Sequence, residues 1–254
     1  MILPLIEDST MALKVLAFNA SPHMEKSNTT LILNPFLDGL KEEGASIETF
    51  YISQLKINPC LGDLNCWTRI SGKCTQKDDV EALLPKIQQA NILVFAFPLY
   101  VDGMPGPMKT LVDRLIALLD PYVVLKDGHC RHSIREKTTC TKLVLVSNCG
   151  FWELDNFAPL IAHAKAICKN TSWEYAGALL RPHGPALGYM LRKGYPVQDV
   201  LDAAKKAGKE LAKNGKISEE TLKTIGRELV PLNDYIKILN QGFEKARERA
   251  KLQK

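Results

Sequence analysis

No apolar run in the sequence reaches the ~18 residues that a membrane-spanning helix needs, so no helical membrane span is expected. The first ten residues, MILPLIEDST, have no basic stretch and no small-residue cleavage site. They are read as an extension and not as a signal peptide. There is no G-x-G-x-x-G and no Walker A loop, which excludes the usual dinucleotide and nucleoside-triphosphate fingerprints. Ser, His and Asp occur in no nucleophile-triad order, and no paired-carboxylate motif stands out. The five histidines have no metal spacing beyond the short GHCRHS stretch around Cys130. Aromatic residues are few, at 7%, and none interleaves with the 13 Lys and Arg that face 9 Asp and Glu in residues 197–254. The small excess of positive charge therefore reads as a solvated helix face, and nucleic acid is not expected as a partner. Seven cysteines without an export signal point to free thiols in a reducing compartment, hence to the cytoplasm.

At 254 residues the chain fits one large domain that needs no disulfide or metal staple. Five short apolar runs alternate with amphipathic segments: 13–20, 46–52, 91–97, 142–147 and 173–180. Near-continuous Val, Ile, Leu and Phe suits strands covered on both faces, as in a parallel sheet. Helices are expected over about 29–43, 78–89, 107–119 and 157–170, although Pro35 sits inside the first. This alternation predicts a doubly wound α/β sheet. The domain organisation expected is an extension over 1–10, a sheet domain over 11–196, and a helical extension over 197–254. In that extension Val200, Ala204, Ala207 and Leu211 share one face, and Leu232, Tyr235, Ile236, Leu239, Phe243 and Ala246 form a second stripe. Both stripes are expected to pack on the sheet domain, with a partner subunit as the alternative.

Two loops carry the chemistry. After the first strand comes NASPHMEKSNTT, then a helix. Short hydroxyl and amide side chains together with the free N–H groups of a helix start suit a phosphate dianion. An ordinary helix cap by Ser27 or Asn28 reads equally well from the loop alone. After the third strand comes PLYVDGMPGPMK, whose prolines and glycines make a stiff loop that a flat ligand can approach closely. In a doubly wound sheet of order 2-1-3-4-5 the crevice between strands one and three is where FMN lies.

NASPHMEKSNT, FPLYVDGMPGPMKTLVDRL and VSNCGFWELDNF resemble the three flavin-contacting loops of the NAD(P)H-dependent FMN reductase and iron–sulfur flavoprotein branch of the flavodoxin-like superfamily. The resemblance implies a flavodoxin-like five-stranded parallel sheet of order 2-1-3-4-5 with a C-terminal helical extension. It implies that Ser21, Ser27, Asn28 and Thr29 hold the FMN phosphate. Pro98, Leu99, Tyr100, Val101, Asp102, Gly103 and Met104 would border the ring. Ser147, Asn148, Cys149, Gly150 and Phe151 would close its opposite edge, with Tyr100, Phe151 and Trp152 as stacking candidates. No protein side chain is assigned as catalytic, because the flavin carries the chemistry.

Residues 58–79 hold Cys60, Cys66 and Cys74 in C-x2-D-x2-C-x7-C spacing, with Asp63 where the iron–sulfur branch carries a further cysteine. The reading taken is a metal-free loop. A [4Fe–4S] cluster on Cys60, Asp63, Cys66 and Cys74, or zinc on the same residues, stands as the alternative. The function expected is an FMN-dependent oxidoreductase with NAD(P)H as co-substrate and a quinone, flavin, nitro compound or similar small molecule as acceptor. The resemblance further implies a homodimer or higher homo-oligomer. The alternatives are an FMN electron carrier docking with a ferredoxin-like partner, and a flavin-less doubly wound binding module.

Overall fold

The computed structural model describes residues 12–136, 138–139 and 141–252. The expected extension over 1–10, like Cys140, lies outside them. Five parallel strands form the central sheet: β1 (Lys14–Asn19), β2 (Ser46–Tyr51), β3 (Ile92–Pro98), β6 (Lys142–Asn148) and β7 (Glu174–Arg181). Their spatial order is β2-β1-β3-β6-β7. The numbering jumps because two further strands, β4 (Leu119–Lys126) and β5 (His129–Ile134), form a separate antiparallel hairpin. The sequence reading does not anticipate them and places a mobile lid in this stretch.

The central strands alternate between two cores, as period-two side-chain geometry requires. Leu16, Phe18, Leu93, Phe95, Phe97, Leu143 and Leu145 point to one face, under α3 (Val80–Gln89), α4 (Gly106–Arg114) and α5 (Ala158–Thr171). Val15, Ala17, Val94, Ala96, Val144 and Val146 point to the other. That second face is covered by α1 (Asn28–Glu42), α6 (Gly184–Arg192), α7 (Gln198–Asn214) and α8 (Glu219–Gly226). The short α2 (Asn65–Thr68) lies in the cysteine loop, and α9 (Leu232–Leu252) ends the described chain.

The expected C-terminal extension divides into two unlike parts. Its first half is core: Val200, Ala204, Ala207 and Leu211 are buried against the sheet-facing side of α1. The helices meet through glycine. A Cβ on Gly39 would lie 2.0 Å from the Lys205 carbonyl oxygen, and one on Gly208 2.1 Å from that of Phe36. This contact fixes α1 although Pro35 removes one of its backbone donors. The second half behaves otherwise. Of the α9 stripe only Tyr235 is buried, so the expectation that this stripe packs on the sheet domain is corrected. Among the described residues no helix is long and apolar enough to cross a membrane.

Candidate functional site

The loop after β1 is built by its own hydrogen bonds. Asn19 is buried, and its Oδ1 accepts the Ser21 N–H at 2.9 Å. Ser27 Oγ accepts the Thr30 N–H at 3.1 Å and so caps α1, while Thr30 Oγ1 donates to the Met24 carbonyl at 2.7 Å. The cap and the anion-site readings of this loop are therefore compatible. Ser27 satisfies one donor, and the N–H groups of Asn28 and Thr29 keep no acceptor among the described residues. Together with the positive end of the α1 dipole they face outward, as an anion site requires.

The loop after β3 is tied at its start, where the Leu99 N–H donates to the Asn148 carbonyl at 2.8 Å. Tyr100 and Gly103 then exchange two backbone bonds of 3.1 Å around Val101 and Asp102, which have φ of 46° and 60°. Two consecutive left-handed residues make a type I′ turn, strained for a β-branched valine. The loop after β6 joins the other two: Asn148 Nδ2 donates to Thr29 Oγ1 at 2.7 Å. Behind it, Cys149 N–H donates to the Arg181 carbonyl, Gly184 N–H to the Cys149 carbonyl, and Tyr235 OH to the Gly150 carbonyl at 2.6 Å.

The three loops enclose a cavity of about 220 Å³. Ser21, Ser27, Asn28 and Thr29 form one end, Pro98, Leu99 and Tyr100 one wall, and Asn148, Cys149 and Gly150 the other. The remaining expected residues do not line it. Val101 is 98% exposed at the turn tip with Asp102, and Gly103 closes that turn. Met104 packs into the core, and Ser147 Oγ donates to the Phe97 carbonyl at 2.8 Å inside the sheet. Phe151 is exposed beside the cavity. Trp152 points away, its indole N–H donating to the Val230 carbonyl at 2.8 Å. Two lining residues escape the sequence reading, His23 and Pro185. The second was accessible, because Gly184-Pro185 is a helix-start signal and opens α6 at this wall. A larger hollow of about 600 Å³ lies beside Ser71, Cys74 and Arg135. It meets no strand-end loop and mixes charges of both signs, so the smaller cavity is the better candidate.

The cysteine loop covers a small hollow of about 50 Å³ lined by Cys60, Asp63, Cys66, Cys74 and Arg114. Its base is an ion pair with no solvent access, Arg114 to Asp78 at 2.7 Å, and Arg114 Nη1 also donates to the Asn58 carbonyl. Burial would raise the Asp78 carboxyl, but the hydrogen bonds from Arg114 and the Asn58 N–H outweigh it and hold it low. Burial raises the Cys66 thiol, with the neighbouring Cys74 and Cys60 adding to it. Asp63 turns its carboxylate to the backbone and side-chain N–H groups of Asn65, at 3.1 and 2.7 Å. Among the described residues no three His, Cys, Asp or Glu side chains form a metal-binding group. The donors present thus do not fit a four-thiolate cluster.

Residues 13–138 match the family described as NADPH-dependent FMN reductase. That segment, just under half of the chain, is similar to the FMN reductase family. An iron–sulfur flavoprotein of Methanocaldococcus jannaschii is 34% identical over 40% of this chain and 51% of its own. The chain spans about half the length of the first curated relatives it matches. Among solved structures, an NAD(P)H:quinone oxidoreductase from Methanothermobacter marburgensis superposes with a TM-score of 0.55 at 18% identity, over 79% of this chain and 97% of its own. An FMN-dependent NADH-azoreductase from Bacillus anthracis, in complex with FMN, gives 0.55 at 15% identity, over 79% and 100%. These two likenesses concern the fold alone, an α/β fold with a parallel five-stranded sheet, and in this chain the cavity above sits at the ends of β1, β3 and β6.

Proposed function

We propose that the chain binds FMN in the three-loop cavity and works as an NAD(P)H-dependent oxidoreductase on a small acceptor. The observation that carries this reading is the convergence of the loops after β1, β3 and β6 on one slot with a donor-rich end. The match of residues 13–138 to the FMN reductase family and the FMN named with one structural neighbour support it. The donor set fits the phosphate. Two unpartnered N–H groups and the hydroxyls of Ser21 and Thr29 are neutral donors, while the Ser27 hydroxyl is spent on Thr30, and charge-assisted bonds of this kind contribute roughly 1.5–3 kcal/mol each. Pro98, Leu99 and Tyr100 on one side and Asn148 to Gly150 on the other would orient the ring. When bound, FMN supplies hydride acceptance and electron donation, chemistry that asks no acid or base of the protein. At about 220 Å³ the slot leaves part of so large a ligand outside, beside the half-exposed Tyr100 and the exposed Phe151, where an acceptor can stack. Quinone, flavin and nitro compounds are the flat acceptors this surface suits. The reducing cytoplasm is the matching compartment, since all six described cysteines are free.

Anaerobic titration of the FMN-loaded protein tests the reading. Flavin absorbance is expected to bleach with NADH or NADPH and to return with a quinone. No bleaching with either nicotinamide sinks it. The same sample is expected to hold iron and acid-labile sulfide far below one atom per chain, because Asp63 is committed to Asn65.

A further inference from the structure

Arg181 ends β7, and its side chain has no access to solvent. The guanidinium donates to the carbonyls of Pro182, Ile225, Gly226 and Arg227 and contacts His183 Nε2 at 3.2 Å. Among the described residues none of these partners carries a negative charge. The carboxylate whose field reaches it, Asp199, is held by Arg227 through bonds of 2.5 and 2.7 Å. His183 supplies no counter-charge either. Its Nε2 accepts the Leu229 N–H at 3.0 Å, so the neutral ring carries its proton on Nδ1, which is buried without a partner. Burial and the nearby Arg227 lower Arg181 to about 10, which leaves it cationic at neutral pH.

Burying a guanidinium among dipoles alone is costly, because the ion gives up its water and gains no counter-ion. A neutral amide or an ordered water can bridge carbonyls without that cost. Three of its carbonyl partners, those of Ile225, Gly226 and Arg227, close the C-terminus of α8, whose dipole offsets part of the charge; no full negative charge among the described residues does, which leaves a place for an anion from outside the chain. The position says where such an anion would be. Arg181 pairs with Asn148 across the β6–β7 ladder, and its carbonyl takes the Cys149 N–H at 3.1 Å. Asn148 and Cys149 line the cavity wall, so Arg181 ends the strand next to it. Burial raises the Cys149 thiol; backbone hydrogen bonds at Phe151 and His183 oppose that rise, and the Arg181 charge does so after them. No Lys or Arg lines the cavity itself; the phosphate end offers only neutral donors and His23.

We infer that Arg181 is the fixed counter-charge for the negative charge that a bound FMN ring gains on reduction, so that this chain holds reduced FMN more tightly than oxidised FMN. This rests on the FMN reading above. Hydride from NAD(P)H brings two electrons and one proton, leaves NAD(P)+, and adds one negative charge to the ring. A buried cation on the strand next to the cavity wall meets little screening from solvent or salt. Arg181 touches neither ring nor substrate and acts through the Asn148–Cys149 wall, as a positioning residue.

The test compares wild type, Arg181→Gln, Arg181→Lys and Tyr235→Phe. The dissociation constants of oxidised and dithionite-reduced FMN are measured anaerobically, and the two-electron midpoint is taken against reference dyes. In Arg181→Gln the preference for reduced FMN is expected to fall at least tenfold, equivalent to lowering the midpoint by about 30 mV. Arg181→Lys keeps the charge but cannot span four carbonyls, and it is expected to stay within about threefold of wild type. Tyr235→Phe cuts the tie from α9 to the Gly150 carbonyl without changing charge and is expected to leave the preference unmoved. Equal shifts in the Lys and Gln variants, or a tenfold loss in Tyr235→Phe, overturn the inference in favour of a purely structural clamp. Should the Gln variant not fold, a tenfold loss in Arg181→Lys overturns it and retention supports it. Wild-type protein that takes up no oxidised FMN refutes the cofactor reading, and the inference with it. Wild-type protein that binds FMN while the Gln variant keeps the same preference refutes the inference alone.

Discussion

His183 shows what a single residue can carry that its sequence neighbourhood does not announce. It sits at φ 39° with no solvent exposure, between the Trp152 ring and Tyr235, and accepts the backbone N–H of Leu229. Burial, reinforced by the Arg181 charge, depresses it from 6.5 to about 4. The folded state therefore resists a proton that the unfolded chain accepts. Its stabilising contribution is full above the unfolded value and is lost as pH falls from about 6.5 toward about 4. The shift corresponds to up to roughly 3 kcal/mol. His183→Asn, with a residue that tolerates left-handed backbone, is expected to be less stable at pH 7 and to lose less on acidification than wild type. Denaturant midpoints at pH 7 and pH 4.5 check this, and parallel losses in the two proteins would refute it. Of the site residues, those at the strand ends were legible because strand-end loops in a doubly wound sheet converge on a known crevice. Ser147, Met104 and Phe151 were misplaced because one position along a loop turns a side chain from cavity to core or to solvent. Arg181 and His183 left no signal, since their partners lie more than 40 residues away in sequence.

At the scale of elements, the α1–α7 crossing decides the architecture of one face. Gly39 and Gly208 let two backbones meet at a distance no Cβ fits. Gly208→Ala is expected to cost about 3 kcal/mol, by overpacking against the Phe36 carbonyl. Gly242→Ala, in the open middle of α9, is expected to stabilise by up to about 1 kcal/mol through helix propensity. Chemical denaturation of both variants checks the pair, and a like sign for the two would contradict the close crossing. The runs of β1, β3 and β6 were readable because both faces of those strands are buried, whereas the edge strand β2 has no buried residue and reads by its alternation. The β4–β5 hairpin was not recognised, although Asp127-Gly128 is a hairpin-turn signal with φ of 52° and 75°. Its Tyr122, Val123, Val124 and Leu125 are consecutive and exposed, so the alternation that marks a half-buried strand is missing.

The last described element is a helix whose apolar stripe is left largely uncovered. α9 runs 21 residues, ~31 Å, and leaves Leu232, Ile236, Ile238 and Phe243 between 36% and 66% exposed. Its first turn is tied to the cavity wall by Tyr235, whose hydroxyl donates to the Gly150 carbonyl, and Trp152 holds the Val230 carbonyl just ahead of the helix. We propose that a second copy of the chain covers this stripe, giving the homodimer the family resemblance implies. Light scattering on full-length protein is expected to give a dimer, and Ile236→Asp with Phe243→Asp a monomer. A monomeric wild type, or a doubly charged variant that still dimerises, counts against it.

Taken alone, the sequence indicated the local terms: the strands of the central sheet, the helices between them, the faces of those helices that are apolar, and the loops that stand out in composition. Those follow from interactions within a few residues. Tertiary structure decided which apolar face meets which. It put α7 in the core and left most of α9 in solvent, although both carry stripes of helical spacing, and it buried Arg181 on the strand next to the cavity wall. Periodicity specifies that a surface must be covered, but the covering partner is chosen by close fit between elements far apart in the chain, a quantity no local window contains.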